Sequence, residues 1–189
     1  MLQIIKKIAK YEDLYSIPEN MIGQIINGEL VAMPRPSPKH SNVVSGIGFE
    51  LGPPYRFGRG GPGGWVILDE PEIRLGNDIF VPDLAGWKKE RLLKFPKTNY
   101  ISVPPDWICE VLSPSTEKAD RAKKMPVYAR FGISYLWLIN PVEEILEVFK
   151  LDSDRWTLLS VYSENDKVRA EPFQETEIDL QNLWFETEE

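Results

Sequence analysis

The chain has one cysteine and one histidine among its 189 residues, no excess of basic side chains and no long apolar run. Each shortage excludes something. Cys109 alone cannot form an internal disulfide, so the thiol content gives no argument for export. His40, the sole imidazole, starts a helix after a polar connector, and nothing around it suggests a Ser–His–Asp triad. Apolar runs of a few residues fall far short of a membrane span. Lys6, Lys7 and Lys10 interrupt the N-terminal Ile/Leu cluster, which therefore lacks the continuous apolar stretch of a signal peptide. No membrane association is expected, and cytoplasm is the expected location. The net charge of −7, with a pI near 4.9, counts against holding duplex DNA by bulk electrostatics. Any DNA contact has to be local, metal-assisted or shared across an oligomer. Internal repeats and low-complexity segments are also missing.

What is present is enough for a packed core. Hydrophobic residues make up 42% and charged residues 27%, both signs interspersed. The length fits one domain over residues 1–189. Residues 11–19 read as a short helix, and residues 22–33 as extended chain broken by the hairpin signal Asn27-Gly28. Ser37 or Ser41 caps a helix that runs to about Leu51, with Val43, Val44, Ile47 and Leu51 roughly at helical spacing. The Gly- and Pro-rich residues 52–64 read as a loop. Without a following Gly-Lys-Ser/Thr this stretch is not a phosphate-binding P-loop. Residues 65–75 and 79–87 form a hairpin around Gly76-Asn77-Asp78, and residues 88–105 are loop-like. A short buried strand, 106–112, is stopped by Ser113-Pro114-Ser115-Thr116. A helix over 117–131 follows, kinked by Pro126 and ended by Gly132. Strands at 135–139, 145–151, 156–162 and 168–173 make a meander, and residues 179–185 a last helical turn. The class is α+β: a central mixed sheet flanked by helices, with extra β-hairpins.

Two acids sit inside apolar, strand-like runs: Asp83 in Val-Pro-Asp-Leu-Ala and Glu110 in Trp-Ile-Cys-Glu-Val-Leu. A carboxylate in a buried strand is costly unless its charge is satisfied. Alternation along the strand puts Glu110 with Leu112 and sets Cys109 and Val111 on the opposite face. If the two strands are neighbours, Asp83 and Glu110 lie side by side, and such a pair suits Mg²⁺ or Mn²⁺. A lysine nearby would stabilise developing negative charge. Asp120, Lys124 and Tyr128 recur at i, i+4 and i+8 and share one helix stripe, with Lys123 off it. The bland alternatives are a turn role for Asp83, a structural ion pair for Glu110, an exposed Lys124–Asp120 pair, and a capping or surface role for His40. Glu29, after a tight turn, is a possible third acid or an exposed hairpin residue. Cys109 reads as core. A carboxylate-pair glycosidase finds no support, because the short strand-embedded acids suggest no open sugar cleft.

These residues also carry a resemblance. Pro82-Asp83, Glu110-Val111-Leu112-Ser113-Pro114-Ser115-Thr116, Asp120 with Lys124 and Tyr128, Gly132, and Tyr135-Leu136-Trp137-Leu138-Ile139-Asn140-Pro141 resemble the Uma-type endonuclease family of the restriction-endonuclease-like PD-(D/E)XK superfamily. Gly28-Glu29-Leu30 and His40 resemble its N-terminal part. The similarity runs from about Met21 to Phe149. It implies a restriction-endonuclease-like fold, a divalent metal held by Asp83 and Glu110, and hydrolysis of DNA phosphodiester bonds. The superfamily lysine belongs two residues after the second acid, where this chain has Leu112; the resemblance moves that role to Lys124 on the next helix. A catalytically silent interaction module on the same fold is the alternative. A homodimer is expected, with Trp137, Phe149 and Trp156 of the meander as its apolar contact surface.

Overall fold

The computed structural model of the protein describes residues 8–185, so Lys6 and Lys7 lie outside the described residues. The first element is a 3₁₀ turn, Tyr11–Ser16. Asn27 and Gly28 both adopt positive φ, 52° and 74°. That is the requirement of a type I′ turn, and it joins β1 (Met21–Ile26) to β2 (Glu29–Pro34) with Ile26 opposite Glu29. Ser37 is the N-cap of α1 (Pro38–Leu51), its side chain accepting from the His40 backbone N–H at 3.3 Å. Pro38 at the start of α1 sacrifices no helical bond.

Beyond Leu51 the structure departs from the expected loop. The chain continues in a wide π turn, Gly52–Arg56, closed by the Phe57 N–H on the Gly52 carbonyl. Pro53 and Pro54 lack the N–H groups that an α-helix would use here. The segment is anchored by Tyr55, which is fully buried and donates its hydroxyl to the Phe173 carbonyl at 2.5 Å.

The expected hairpin around residues 76–78 forms, but it is bent across two sheets. β3 (Trp65–Asp69) pairs with β6 (Leu84–Lys88), and β4 (Glu72–Leu75) pairs with β5 (Asp78–Phe80). One continuous register serves both halves. Between them the ladder breaks at Glu70, whose φ is +42°, and at Pro82, which cannot donate to a ladder. The Glu70 N–H still reaches the Asp83 carbonyl at 3.0 Å. Asp83 therefore sits at a corner, just outside β6.

Residues 88–105 contribute one short strand, β7 (Tyr100–Ile101), before β8 (Trp107–Val111). Two short helices, α2 (Glu117–Ala119) and α3 (Met125–Arg130), precede β9 (Tyr135–Asn140), β10 (Ile145–Asp152) and β11 (Arg155–Ser163). The central sheet is ordered β11-β10-β9-β8-β6-β3, parallel only between β8 and β9. A second mixed sheet is ordered β2-β1-β5-β4-β7. Residues 168–173 do not complete the meander, which is a correction to the expected strand. β12 (Lys167–Val168) pairs only with β13 (Ile178–Asp179). Pro172 disfavours a ladder here, and Phe173 instead packs its ring on Tyr55, Trp65, Trp107 and Trp137. A 3₁₀ turn, Leu180–Leu183, follows.

The middle strands of the central sheet are buried on both faces. Val43, Ile47 and Leu51 of α1 cover Trp107, Cys109, Val111, Trp137 and Ile139, together with Phe173, Leu180 and Leu183 from the C-terminal segment. On the other face Ile108, Leu112, Leu136 and Leu138 meet Ile73, Leu75 and Phe80 of the second sheet and Val127 and Tyr128 of α3. Strand β8 is buried at every position, as a central strand must be. Among the described residues no helix is long and apolar enough to cross a membrane.

Candidate active site

Glu110 is carried by β8 into a place where water does not reach it; the residue is 3% exposed. Three groups from the following helical segment surround it. Lys124 donates to both carboxylate oxygens at 3.1 Å, and the Tyr128 hydroxyl donates to Oε1 at 2.6 Å. Asp120 Oδ1 lies 2.8 Å from the Lys124 Nζ. Asp120 and Lys124 are each 2% exposed.

The local chain geometry that presents these groups follows from Pro126. Its ring would collide with the carbonyl four residues back in a regular helix, and it has no N–H to offer. The helix expected over residues 117–131 is instead split by a π turn, Asp120–Lys124, in which the Met125 N–H bonds to the Asp120 carbonyl. The wider turn stacks residues four apart more nearly in line, so Asp120 and Lys124 face Glu110 together. Such single π turns recur at functional sites. Lys123 points elsewhere, 3.5 Å from Glu29, with both side chains substantially exposed.

Two buried carboxyl groups share one ammonium. Burial, reinforced by Asp120 and Asp83 and opposed by Lys124 and Tyr128, pushes the Glu110 carboxyl up to about 8. Burial opposes the charge of Lys124, yet Glu110 and Asp120 hold its pKa above the ordinary lysine value. Tyr128 is pushed well up, by burial first and then by Glu110. Burial also pushes the Cys109 thiol well up, which leaves it inert as a nucleophile and consistent with its core reading.

Asp83 is held differently. Its Oδ2 accepts from the Val111 N–H at 2.7 Å and lies 3.3 Å from His40 Nε2. The β6–β8 register, Leu84 opposite Cys109, places Asp83 beside Glu110 at the next step. His40 is not a surface residue, as one reading of the sequence had it. It is 9% exposed, because the Ser37 cap turns the first residues of α1 toward the corner. Burial opposes its protonation, but the hydrogen bond and charge of Asp83 raise its pKa above the ordinary value. Its Nδ1 is buried with no hydrogen-bond partner among the described residues.

Asp83, Glu110, Asp120, Lys124 and His40 line one cavity of about 300 Å³, whose mouth includes Arg35, Ser113, Ser115 and Thr116. Glu29 is not part of this lining. Sequence reasoning missed Gln24, also in the lining, which accepts from the Val81 N–H at 3.0 Å and so fixes the approach to Pro82 and Asp83. Nothing local marks that glutamine; only the pairing of β1 with β5 brings it there. The part played by Asp120 and Tyr128 was signalled by their stripe with Lys124.

Among the described residues no three His, Cys, Asp or Glu side chains converge as a ready metal cage. Mg²⁺ does not require one, since it commonly uses one or two carboxylates and keeps several waters. The donor set fits such an ion. Asp83 Oδ1 takes no hydrogen bond from the described residues, and three carboxyl groups stand near a single ammonium. Glu110 is the restrictive member, because Lys124 already occupies it.

The α+β architecture, with a carboxylate-lined cavity at the corner between its two mixed sheets, is that of a nuclease-like fold. The chain belongs to the Uma2 family, described as "putative restriction endonuclease", whose model matches residues 8–181. Among solved structures it is similar to a protein from Anabaena variabilis ATCC 29413, described as a putative nuclease belonging to DUF820. The TM-score is 0.74 at 21% identity, covering 93% of this chain and 97% of that one. At that identity the likeness shows the fold. A search of curated proteins finds no match.

Proposed function

We propose that this protein is a Mg²⁺- or Mn²⁺-dependent endonuclease that hydrolyses DNA phosphodiester bonds. The observation that carries the reading is the grouping of three carboxyl groups, Asp83, Glu110 and Asp120, on one cavity with a single ammonium among them. A divalent cation among these groups would hold Glu110 in its charged form. Family membership and the name of the Anabaena protein support nuclease chemistry.

In this reading Asp83 and Glu110 hold the ion. A bound divalent ion supplies Lewis-acid polarisation of the phosphate and a water of lowered pKa. Lys124 presents a positive charge to the phosphate as negative charge develops. Val111 and His40 fix the Asp83 carboxylate through Oδ2, and Tyr128 fixes Glu110 through Oε1. Arg35 and the hydroxyls of Ser113, Ser115 and Thr116 offer phosphate contacts at the mouth. We take the chain as one domain acting in the cytoplasm as a homodimer. Trp137 is fully buried, while Phe149 and Trp156 pack on the core, so the contact area falls to Leu158, Leu159 and Val161, exposed on the edge strand β11. Light scattering that gives a monomeric mass at high concentration would remove the dimer.

The test is a cleavage assay on duplex, single-stranded and branched DNA with Mg²⁺ and Mn²⁺. Cleavage that requires the metal and disappears in Asp83→Ala is the expected result. One observation favours the second reading, a silent interaction module: Lys124 already engages both oxygens of Glu110. Absence of cleavage on all three substrates, with melting temperatures unmoved by millimolar Mn²⁺, would establish that reading instead.

A further inference from the structure

The obstacle on Glu110 suggests its own resolution. Lys124 has three N–H donors. Two of its hydrogen bonds go to Glu110 Oε1 and Oε2. Asp120 Oδ1 is closer to the Nζ, at 2.8 Å, but among the described residues that contact is off the hydrogen-bond direction while both contacts to Glu110 are aligned. The ammonium therefore already lies between two acids, and a small swing of the lysine side chain would align it on Asp120 instead. Glu110 would not be stranded by that swing, because the Tyr128 hydroxyl holds Oε1 independently. Among the described residues only Lys124 donates to Oε2.

We propose that Asp120 is a positioning residue which receives the Lys124 ammonium when a divalent cation takes Glu110. Resting on the metal reading above, this adds that the site is gated by its own lysine. In the metal-free protein the ammonium is the resident cation of Glu110. Asp120 lets it yield Oε2 without leaving the cavity or losing its charge. The ammonium thus stays beside the site, available to a phosphate. Asp120 acts through Lys124 and does not itself hold the metal.

The discriminating experiment is a double-mutant cycle on Mn²⁺ affinity, read by titration calorimetry on the full chain. The four forms are wild type, Asp120→Asn, Lys124→Met and the double variant. Asp120→Asn is expected to weaken Mn²⁺ by about tenfold in the presence of Lys124, and by less than about twofold in the Lys124→Met background. Lys124→Met alone is expected to bind Mn²⁺ more tightly than wild type. Equal weakening by Asp120→Asn in both backgrounds would overturn the proposal, because plain loss of charge or direct ligation predicts that result. If Lys124→Met does not fold, wild-type crystals grown with and without Mg²⁺ decide the question. The Lys124 contact to Glu110 Oε2 should be lost and the Asp120 contact kept when the ion is present. An ion bound while Lys124 keeps both Glu110 oxygens overturns the hand-off and leaves the metal reading standing. Failure of every folded form to bind either ion overturns both.

Discussion

The two carboxylates at the cavity are held by opposite means. Asp83 lies at a corner between two sheets, its side chain 18% exposed, and two donors converge on a single oxygen. Glu110 lies in the middle of a buried strand, its side chain 4% exposed, with both oxygens taken and a cation against it. A corner carboxylate can be satisfied by a backbone N–H and a ring nitrogen, because water still reaches part of it. A carboxylate at the centre of a sheet needs charge compensation. The first is preorganised with an oxygen to spare, and the second is stable only as a pair.

The strongest way to break this contrast is to remove the compensating charge. Lys124→Ala leaves Glu110 and Asp120 buried without a cation, and breaking such a pair typically costs about 3–5 kcal/mol. The metal-free variant is expected to lose that much in urea unfolding, and cleavage is expected to fall roughly 10²-fold or more. Retention of wild-type stability would mean that Lys124 does not hold the two buried acids together.

A pH series sharpens the same point. The Glu110 carboxyl is raised from about 4.5 to about 8. Its contribution to stability is therefore fully present below the lower value and is lost as the pH rises through the upper one. Lys124 stays cationic across that window. Between pH 5 and pH 9 the metal-free wild type is expected to lose melting temperature relative to Glu110→Gln, which cannot ionise. A constant gap between the two melting curves would contradict the raised value.

Tyr128→Phe removes one hydrogen bond to Glu110 and leaves the ion pair. Bonds to charged groups are worth about 1.5–3 kcal/mol, and calorimetric unfolding should show a loss in that range. On the Asp83 side the effect should be smaller. His40→Ala removes a 3.3 Å contact to an oxygen that the Val111 N–H already serves. The expected loss is roughly 1 kcal/mol, and a loss as large as that of Lys124→Ala would erase the distinction between the two acids. The smallest effect belongs to Lys123→Ala. Its exposed partner Glu29 makes it a surface pair, worth about 0–1 kcal/mol, and cleavage rates should stay near wild type.

Much of this arrangement was legible from local pattern. Asn27-Gly28 dictated its hairpin because two consecutive positive φ angles exclude most other residue pairs. Ser37 and Ser41 were the two cap candidates, legible because a cap hydroxyl serves an orphan N–H at its own helix end, and Ser37 is the one used. Strand alternation separated Glu110 from Cys109, and helical periodicity separated Lys124 from Lys123. In each case the relevant partner lies within a few residues, or the periodicity of one element decides the matter. Other features depended on distance. The register of residues 65–88 was readable, but its division between two sheets was not, because the corner is set by what packs on each half. Pro172 ended the expected last strand, while the destination of Phe173 followed from four aromatic rings brought from elsewhere in the chain.

The sequence by itself determined which groups can carry charge into the core and on which side of its own strand or helix each one stands. It could not determine which of them meet. The Asp83–His40 contact, the Gln24 support beneath Pro82 and the place of Lys124 between Glu110 and Asp120 exist only once the two sheets, α1 and the π turn pack together. The reason is physical. Periodicity is a property of one segment, whereas desolvation and Coulomb pairing depend on every segment that closes around the same few cubic ångströms.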